Sequence, residues 1–385
     1  MITALEWILW LSAATVVMIT AGYPLLLAVS LPFTRRSRLL DDTERNVTLV
    51  IAAYNEEKVI AAKLDNCLQL DYPRDRLEIV VASDGSTDRT NEIVESYRDR
   101  GITLAAFART GKTGMQNSVA AAARSEILVF SDANAMYRRD AIRMLVRNFA
   151  DPRVGGVCGQ LDYTVASEGA GASESTYWTY EKFMKQRESD LSSAIGANGS
   201  IYAVRRTDYV EIDADLISDL VEPLALVRAG KRVVYESEAV SVEEGSSDYG
   251  VEFRRKVRIL TRSIRGLLRM RTLLNPCRYG VFALQLIMHK LLRFLTPMFL
   301  IAGAAALLGL ALLGRYRLVC AASIALVVLA VLVARRRVPE RPNILVRVCH
   351  LGYYYLMTNY ALVLAWVNVL HGRNMKLWVP ERKGA

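Results

Sequence analysis

The sequence predicts an α/β domain on a largely parallel sheet, held between membrane-spanning helices. Three observations predict it. Uncharged runs long enough to cross a bilayer lie at both ends of the 385-residue chain. Between them, at about 40–275, lies a polar stretch in which short apolar β-rich runs alternate with helical ones. Several of those runs end on carboxylates.

Residues 7–33 carry no charged side chain. At about 1.5 Å rise per residue such a run crosses a hydrocarbon core of ~30 Å. Further uncharged runs span 294–314, 318–334 (between Arg317 and Arg335) and 351–370. The first is read as an anchor and not a cleaved leader, because the residues before it hold Glu6 and no Lys or Arg. Arg35, Arg36 and Arg38 follow it, so the positive-inside rule puts the polar domain in the cytoplasm. Arg335, Arg336 and Arg337 then also lie inside, after two crossings. The last run has Arg341 and Arg347 before it and Arg373, Lys376, Arg382 and Lys383 after it. A re-entrant segment would keep both ends inside. A crossing is favoured, because a re-entrant backbone needs protein around it.

The net charge is +10, yet 254–271 alone holds Arg254, Arg255, Lys256, Arg258, Arg262, Arg265, Arg269 and Arg271 with no acid. Placed beside membrane runs, that charge suits lipid headgroups and diphosphates and not nucleic acid. Arg258, Arg262, Arg265 and Arg269 share one helical face, which predicts an interfacial amphipathic helix whose arginines mostly meet headgroups. Gln285, His289 and Arg293 form a second polar stripe, again interfacial and without a catalytic role for the histidine. The cysteines at 67, 158, 277, 320 and 349 have no metal-ligand spacing and are read as free thiols.

In the polar stretch, strands are expected at 47–53, 77–83, 102–107 and 127–131, with helices at 56–69, 88–100 and 112–124 between them. Crossovers of this kind make a parallel sheet, which binds ligands at its carboxyl edge. That edge receives Tyr54-Asn55-Glu56-Glu57 after the first strand, Asp84-Gly85-Ser86-Thr87-Asp88 after the second and Asp132-Ala133-Asn134 after the fourth. Singly, each could be a helix cap or a turn. Together, at three strand ends on one edge, they point to a ligand site.

This set, in order and spacing, resembles the membrane-bound family 2 glycosyltransferases with a GT-A fold, such as the synthases of cellulose, hyaluronan and poly-N-acetylglucosamine. The resemblance implies a Rossmann-like, largely parallel mixed sheet, with Tyr54, Glu56 and Asp84 on the donor nucleoside and Asp88 in support. Lys112 falls where the family often has a basic residue near the nucleotide, though a solvated helix-start lysine reads equally well. Asp132 and Asn134 occupy the Asp-x-Asp position that holds Mg²⁺ or Mn²⁺ on the diphosphate, with an amide where the second carboxylate is usual. Asn198 and Gly199, in 195–200, correspond to the glycine-rich acceptor-side segment. Asp219, opening a helix that ends near Gly230, corresponds to the catalytic base and could otherwise be a cap. Arg255-x-x-Arg258-Ile259 is the nearest match to the family's Gln-x-x-Arg-Trp signature. It gives Arg258 to the diphosphate and lacks the tryptophan that stacks on an acceptor sugar.

The expected organisation is an anchor at 1–34, a catalytic domain at 45–250, interfacial helices at 251–293, membrane helices at 294–370 and a basic tail at 371–385. The resemblance implies an inverting, metal-dependent enzyme of the plasma or inner membrane. It moves sugar from a nucleotide-sugar donor, expected to be a UDP-sugar, to a growing cell-surface polysaccharide. Transfer to a lipid-linked acceptor is the alternative, and a nucleotide-binding transporter or scaffold without transferase activity is the reading from another class.

Overall fold

The computed structural model describes residues 1–34, 37–164, 170–244, 249–334, 343–373 and 375. The chain opens with α1 (Ile2–Val17) and α2 (Tyr23–Thr34), joined through a π-turn at Met18–Gly22. The sheet-bearing domain follows with β1 (Val47–Ala53), α3 (Ile60–Leu68), β2 (Leu77–Asp84), α4 (Thr90–Glu95), β3 (Ile102–Phe107), α5 (Lys112–Ala122) and β4 (Ile127–Asp132). It continues with β5 (Met136–Tyr137), α6 (Ala141–Val146), β6 (Val154–Thr164), α7 (Ala170–Leu191), β7 (Tyr202–Arg205), α8 (Ser218–Arg228) and β8 (Arg232–Glu244). Five helices complete the chain: α9 (Tyr249–Arg269), α10 (Pro276–Leu286), α11 (Leu292–Leu312), α12 (Arg317–Ala334) and α13 (Ile344–Leu370).

The strands form one eight-stranded sheet in the order β3-β2-β1-β4-β7-β6-β8-β5. β3, β2, β1 and β4 run parallel, so their carboxyl ends share one edge, as the sequence predicts. β7 is antiparallel to both β4 and β6, while β8 runs parallel to β6. Period-two alternation divides the core between two faces. Leu49, Ile51, Val81 and Val129 pack under α3, α4 and α6. Val50, Ala52, Leu128 and Phe130 pack under α5 with Tyr202. Each fully buried side chain of this kind contributes about 1.5–3 kcal/mol.

β6 was not singled out in the sequence. It contains Gly155, Gly156 and Gly159, which dilute its apolar signal; a Cβ on Gly156 would lie 2.8 Å from Leu226 Cδ1, and one on Gly159 2.8 Å from the Ala239 carbonyl. The sequence after Gly230 predicts a strand at 232–235; β8 runs on to Glu244, and so carries Glu243 alongside β6 and β5.

Among the described residues, three helices are long and apolar enough to cross a membrane: Ile2–Ser30, Pro276–Leu312 and Arg317–Ala334. The boundary expected at 293/294 falls inside the second, which is continuous through a π-turn at Ile287–Leu291. α1 lies against α11 closely enough that a Cβ on Gly303 would sit 3.2 Å from Ser12 Cβ, the small-residue contact that lets membrane helices approach. The run at 351–370 lies in α13, which is not among the three; it buries His350, Asn359 and Asn368. Arg35, Arg36, Arg335, Arg336, Arg337, Arg341, Lys376, Arg382 and Lys383 lie outside the described residues, as does most of the expected tail.

Both expectations for the polar stripes need correction. The arginines of α9 turn onto the sheet-bearing domain. Arg262 is buried and donates to the Asp215 and Leu216 carbonyls and to Thr113 Oγ1 (3.2 Å). Arg265 pairs with Asp215 and Arg269 with Asp213, each at 3.2 Å. The carbonyls and acids of the 213–216 loop thus take the place of headgroups. The opposite face of α9, with Ile264 and Leu267, joins Val221 and Leu224 of α8 to Leu362 and Ala365 of α13 in one core. The second stripe is likewise internal. His289 Nδ1 meets Glu188 Oε1 at 2.7 Å, Gln285 donates to the Glu188 carbonyl and Arg293 pairs with Glu181. Tyr23 of α2 donates to the same Glu188 oxygen at 2.8 Å, so α7 is clasped by helices from both ends of the chain.

Candidate active site

The β1 and β2 ends interlock at the carboxyl edge. Asn55 takes a left-handed φ of 51° and accepts from the Thr87 amide at 2.8 Å. Asp88 accepts from the Glu57 amide (3.1 Å) and from the Thr90 amide and hydroxyl. Burial pushes the Asp88 pKa up, but the hydrogen bonds from Thr90 and Glu57 outweigh it and hold the carboxyl below its usual range. Asp88 therefore braces the turn, and Glu56 is buried behind it.

Asp84 is fully buried and faces the turn after β3. Its oxygens accept from the amides of Thr110 (2.6 Å) and Gly111 (2.9 Å) and from Arg109 Nη1 (2.6 Å). The guanidinium of Arg109 lies over the Tyr54 ring, 3.1 Å from its centroid. Asp84 thus shapes the β2 end of the edge through Arg109, a residue the sequence reading did not select. The Arg109-Thr110-Gly111-Lys112 stretch between strand and helix was the available signal.

The β4 end delivers Asp132, whose Oδ1 pairs with Lys112. Lys112 Nζ also reaches the Gly199 carbonyl at 3.3 Å. The turn after Asp132 is fixed from below: buried Lys63 donates to the Ala135 carbonyl, and Asn66 bonds both the amide and the carbonyl of Tyr137. Asn134 Nδ2 donates to Glu243 Oε2 at 3.2 Å. Burial pushes the Glu243 carboxyl up to about 7; the charge of Asp132 adds to the rise, while Arg255, Lys112 and the Asn134 hydrogen bond oppose it.

Asp219 lies in the first turn of α8, and its carbonyl accepts from the Ala197 amide at 2.6 Å. This ties it to the 195–200 segment, where Gly196 has φ +80°. A Cβ on Gly199 would lie 2.9 Å from Asp219 Oδ2, 3.1 Å from Lys112 Nζ and 3.7 Å from Asp132 Oδ2. Glycine is required here because three charged groups converge on the place a side chain would fill. Burial raises the Asp219 pKa above the usual carboxylate range; Lys112 opposes the rise, Asp132 adds to it, and Lys185 and Arg262 also oppose it.

Asn198 turns inward. It is buried, accepts from Lys185 Nζ (2.8 Å) and donates to the Gly159 carbonyl (2.6 Å), so its side chain holds the segment and does not face the cleft. Arg258 lies one helical turn before Arg262, which burial and the charge of Arg258 lower to about 10. Glu222, on the same helix as Asp219, is buried beside the Tyr202 hydroxyl.

Carboxylate and amide oxygens at Asp132, Asn134 and Glu243 are hard donors of the kind Mg²⁺ and Mn²⁺ take. Among the described residues no three His, Cys, Asp or Glu side chains form a ready metal cage.

The sequence pattern of the glycosyl transferase family 2 matches residues 48–212. The chain is 35% identical over 138 residues to the beta-monoglucosyldiacylglycerol synthase of Synechocystis sp., covering 34% of this chain and 27% of that protein. It is 25% identical over 203 residues to the poly-beta-1,6-N-acetyl-D-glucosamine synthase of Staphylococcus aureus, covering 51% and 49%. The chain spans less than half the length of these relatives. In three dimensions it is similar to the mannosyltransferase PcManGT from Pyrobaculum calidifontis, solved with GDP-Man and Mn²⁺, with a TM-score of 0.72 and 23% identity over 96% of this chain and 100% of that one. The shared architecture is the GT-A fold. The curled mixed sheet, the carboxylates on its edge and the pattern over 48–212 lead to one conclusion: the chain carries a family 2 glycosyltransferase domain.

Proposed function

We propose that this chain is an inverting glycosyltransferase of the membrane that moves a sugar from a nucleotide-sugar donor, a UDP-sugar, to a growing cell-surface polysaccharide. The observation that carries this reading is the convergence of Lys112, Asp132 and Asp219 on Gly199. Tyr54 and Arg109 border the nucleoside site. Lys112 and Arg258 offset charge on the diphosphate as the sugar leaves. Asp219 takes the proton of the acceptor hydroxyl, whose oxygen bonds to the anomeric carbon as the bond to the diphosphate breaks on the opposite face. Asp132, with Asn134, would hold Mg²⁺ or Mn²⁺, which when bound supplies further positive charge for the departing diphosphate. The catalytic domain faces the cytoplasm and the chain crosses the membrane more than once.

A second reading, transfer to a lipid-linked acceptor, is favoured by one observation. α9 and α13 line a cleft with the apolar Val257, Leu364 and Val367 beside Asn368, Arg373 and Met375. Purified membranes incubated with labelled nucleotide sugars test both. A polymer ladder supports the first reading, a single lipid-extractable product the second, and no transfer from any donor sinks both.

A further inference from the structure

Asn134 stands where a second charged ligand would be expected, and its amide nitrogen points at Glu243. The strand register explains why a residue so distant in sequence arrives there. Met136 pairs with Val242 and Tyr163 with Glu243, which sets Glu243 beside the Asp132–Ala135 turn. Glu243 is half-buried, and among the described residues no lysine or arginine forms an ion pair with it. Its exposed neighbour Glu244 faces away, as alternation along a strand requires. Lys112 pairs with Asp132 through Oδ1 and leaves Oδ2 directed at the Gly199 space.

We propose that Glu243 supplies the second carboxylate of the cation site, so that Asp132 on β4 and Glu243 on β8 would both hold the divalent ion, with the Asn134 amide hydrogen-bonded to Glu243. The inference rests on the glycosyltransferase reading and deepens it. Two carboxylates on different strands make cation binding depend on how β4 and β8 are held; Lys63 and Asn66 fix the turn from β4 into β5, and β5 pairs with β8. Charge count at such a site sets its affinity for a hard cation.

The test uses the full chain in detergent micelles, with the signal of free aqueous Mn²⁺ followed by electron paramagnetic resonance, with and without UDP. Glu243→Gln is expected to weaken Mn²⁺ uptake by about tenfold or more, comparable to losing a conserved partner of a metal site. Glu243→Asp keeps the charge and should stay within a few-fold of wild type, and Glu244→Gln should match wild type. Uptake by Glu243→Gln equal to wild type, with loss in Asp132→Asn, overturns the role of Glu243 and leaves the transferase reading intact. Equal losses in the Gln and Asp variants mean a packing effect and also overturn it. If wild type binds UDP by calorimetry but takes up no Mn²⁺, the cation site falls as a whole while the nucleotide site stands.

Discussion

Gly199 and Asp219 are in contact at the limit of what the backbone permits, since a Cβ on residue 199 would sit 2.9 Å from the Asp219 carboxylate. The same Cβ would press on Lys112, so one methyl group would move two groups that must act together. Gly199→Ala is therefore expected to lower turnover by about 10²-fold, the usual cost of a displacement near 1 Å. Its affinity for uridine, which lacks the diphosphate, should stay close to wild type, because Tyr54 and Arg109 lie elsewhere on the edge. Turnover within a few-fold of wild type would remove the glycine from the site.

Arg262 joins the membrane-side helices to the catalytic domain. It is buried and bonded to the 213–216 loop and to Thr113; its removal takes the side-chain donor from the Asp215 carbonyl and leaves Leu216 with the Thr113 hydroxyl alone. Hydrogen bonds to charged groups are worth about 1.5–3 kcal/mol each. Arg262→Ala should lower the unfolding midpoint and loosen α9, giving new protease cuts between α8 and α10. Arg271→Ala, at a residue without those bonds, is the control. Equal midpoints for the two would show that the dock contributes nothing.

How much of this could be read from the chain depended on whether a signal was local. The strands at 47–53, 77–83, 102–107 and 127–131 were legible because each is an apolar run closed by polar turn residues. The carboxylates on their edge followed from their positions. β6 was not singled out, because its glycines serve the close approach of Leu226 and Ala239, which lie far along the chain. The arginine face of α9 and the stripe through His289 were visible as periodicities. Periodicity, however, does not tell a lipid headgroup from a protein carbonyl or from Glu188. Glu243 reaches the site through strand pairing distant in sequence and left little trace in local spacing, whereas Arg109 lies between β3 and α5, three residues before Lys112.

The orientation of the chain has a direct probe. Cys67 and Cys158 are buried and cannot report, whereas Cys277 is exposed at the start of the Pro276–Leu312 helix. A membrane-impermeant maleimide should label Cys277 in inverted vesicles and not in intact cells. Labelling in intact cells would place the catalytic side outside and reverse the topology.

Chelation should stop donor turnover, and Mg²⁺ or Mn²⁺ should restore it, if Asp132 helps to hold a diphosphate-bound cation. Asp132→Ala should weaken UDP binding in the presence of metal and abolish the difference that metal makes. Full turnover in excess chelator would leave Lys112 and Arg258 as the only charges on the diphosphate.

Asp219→Asn separates the base from that ligand. The change keeps the shape at Gly199 and removes the proton acceptor, so turnover should fall ~10²–10⁴-fold with UDP affinity nearly unchanged. The raised pKa of Asp219 gives two further readouts. A base must be ionised to act, so the acidic limb of the wild-type rate should lie above the ordinary carboxylate range and vanish in Asp219→Asn. The second readout is stability. The folded state holds the Asp219 proton to higher pH than the unfolded chain, so stability falls as pH rises from the unfolded pKa through the folded one. The asparagine variant escapes that loss. At neutral pH, without ligands, its unfolding midpoint should therefore equal or exceed that of wild type even as its activity collapses. A lower midpoint together with near-normal turnover would mean that Asp219 only starts α8, and the proton would have to go to another acid on the same edge.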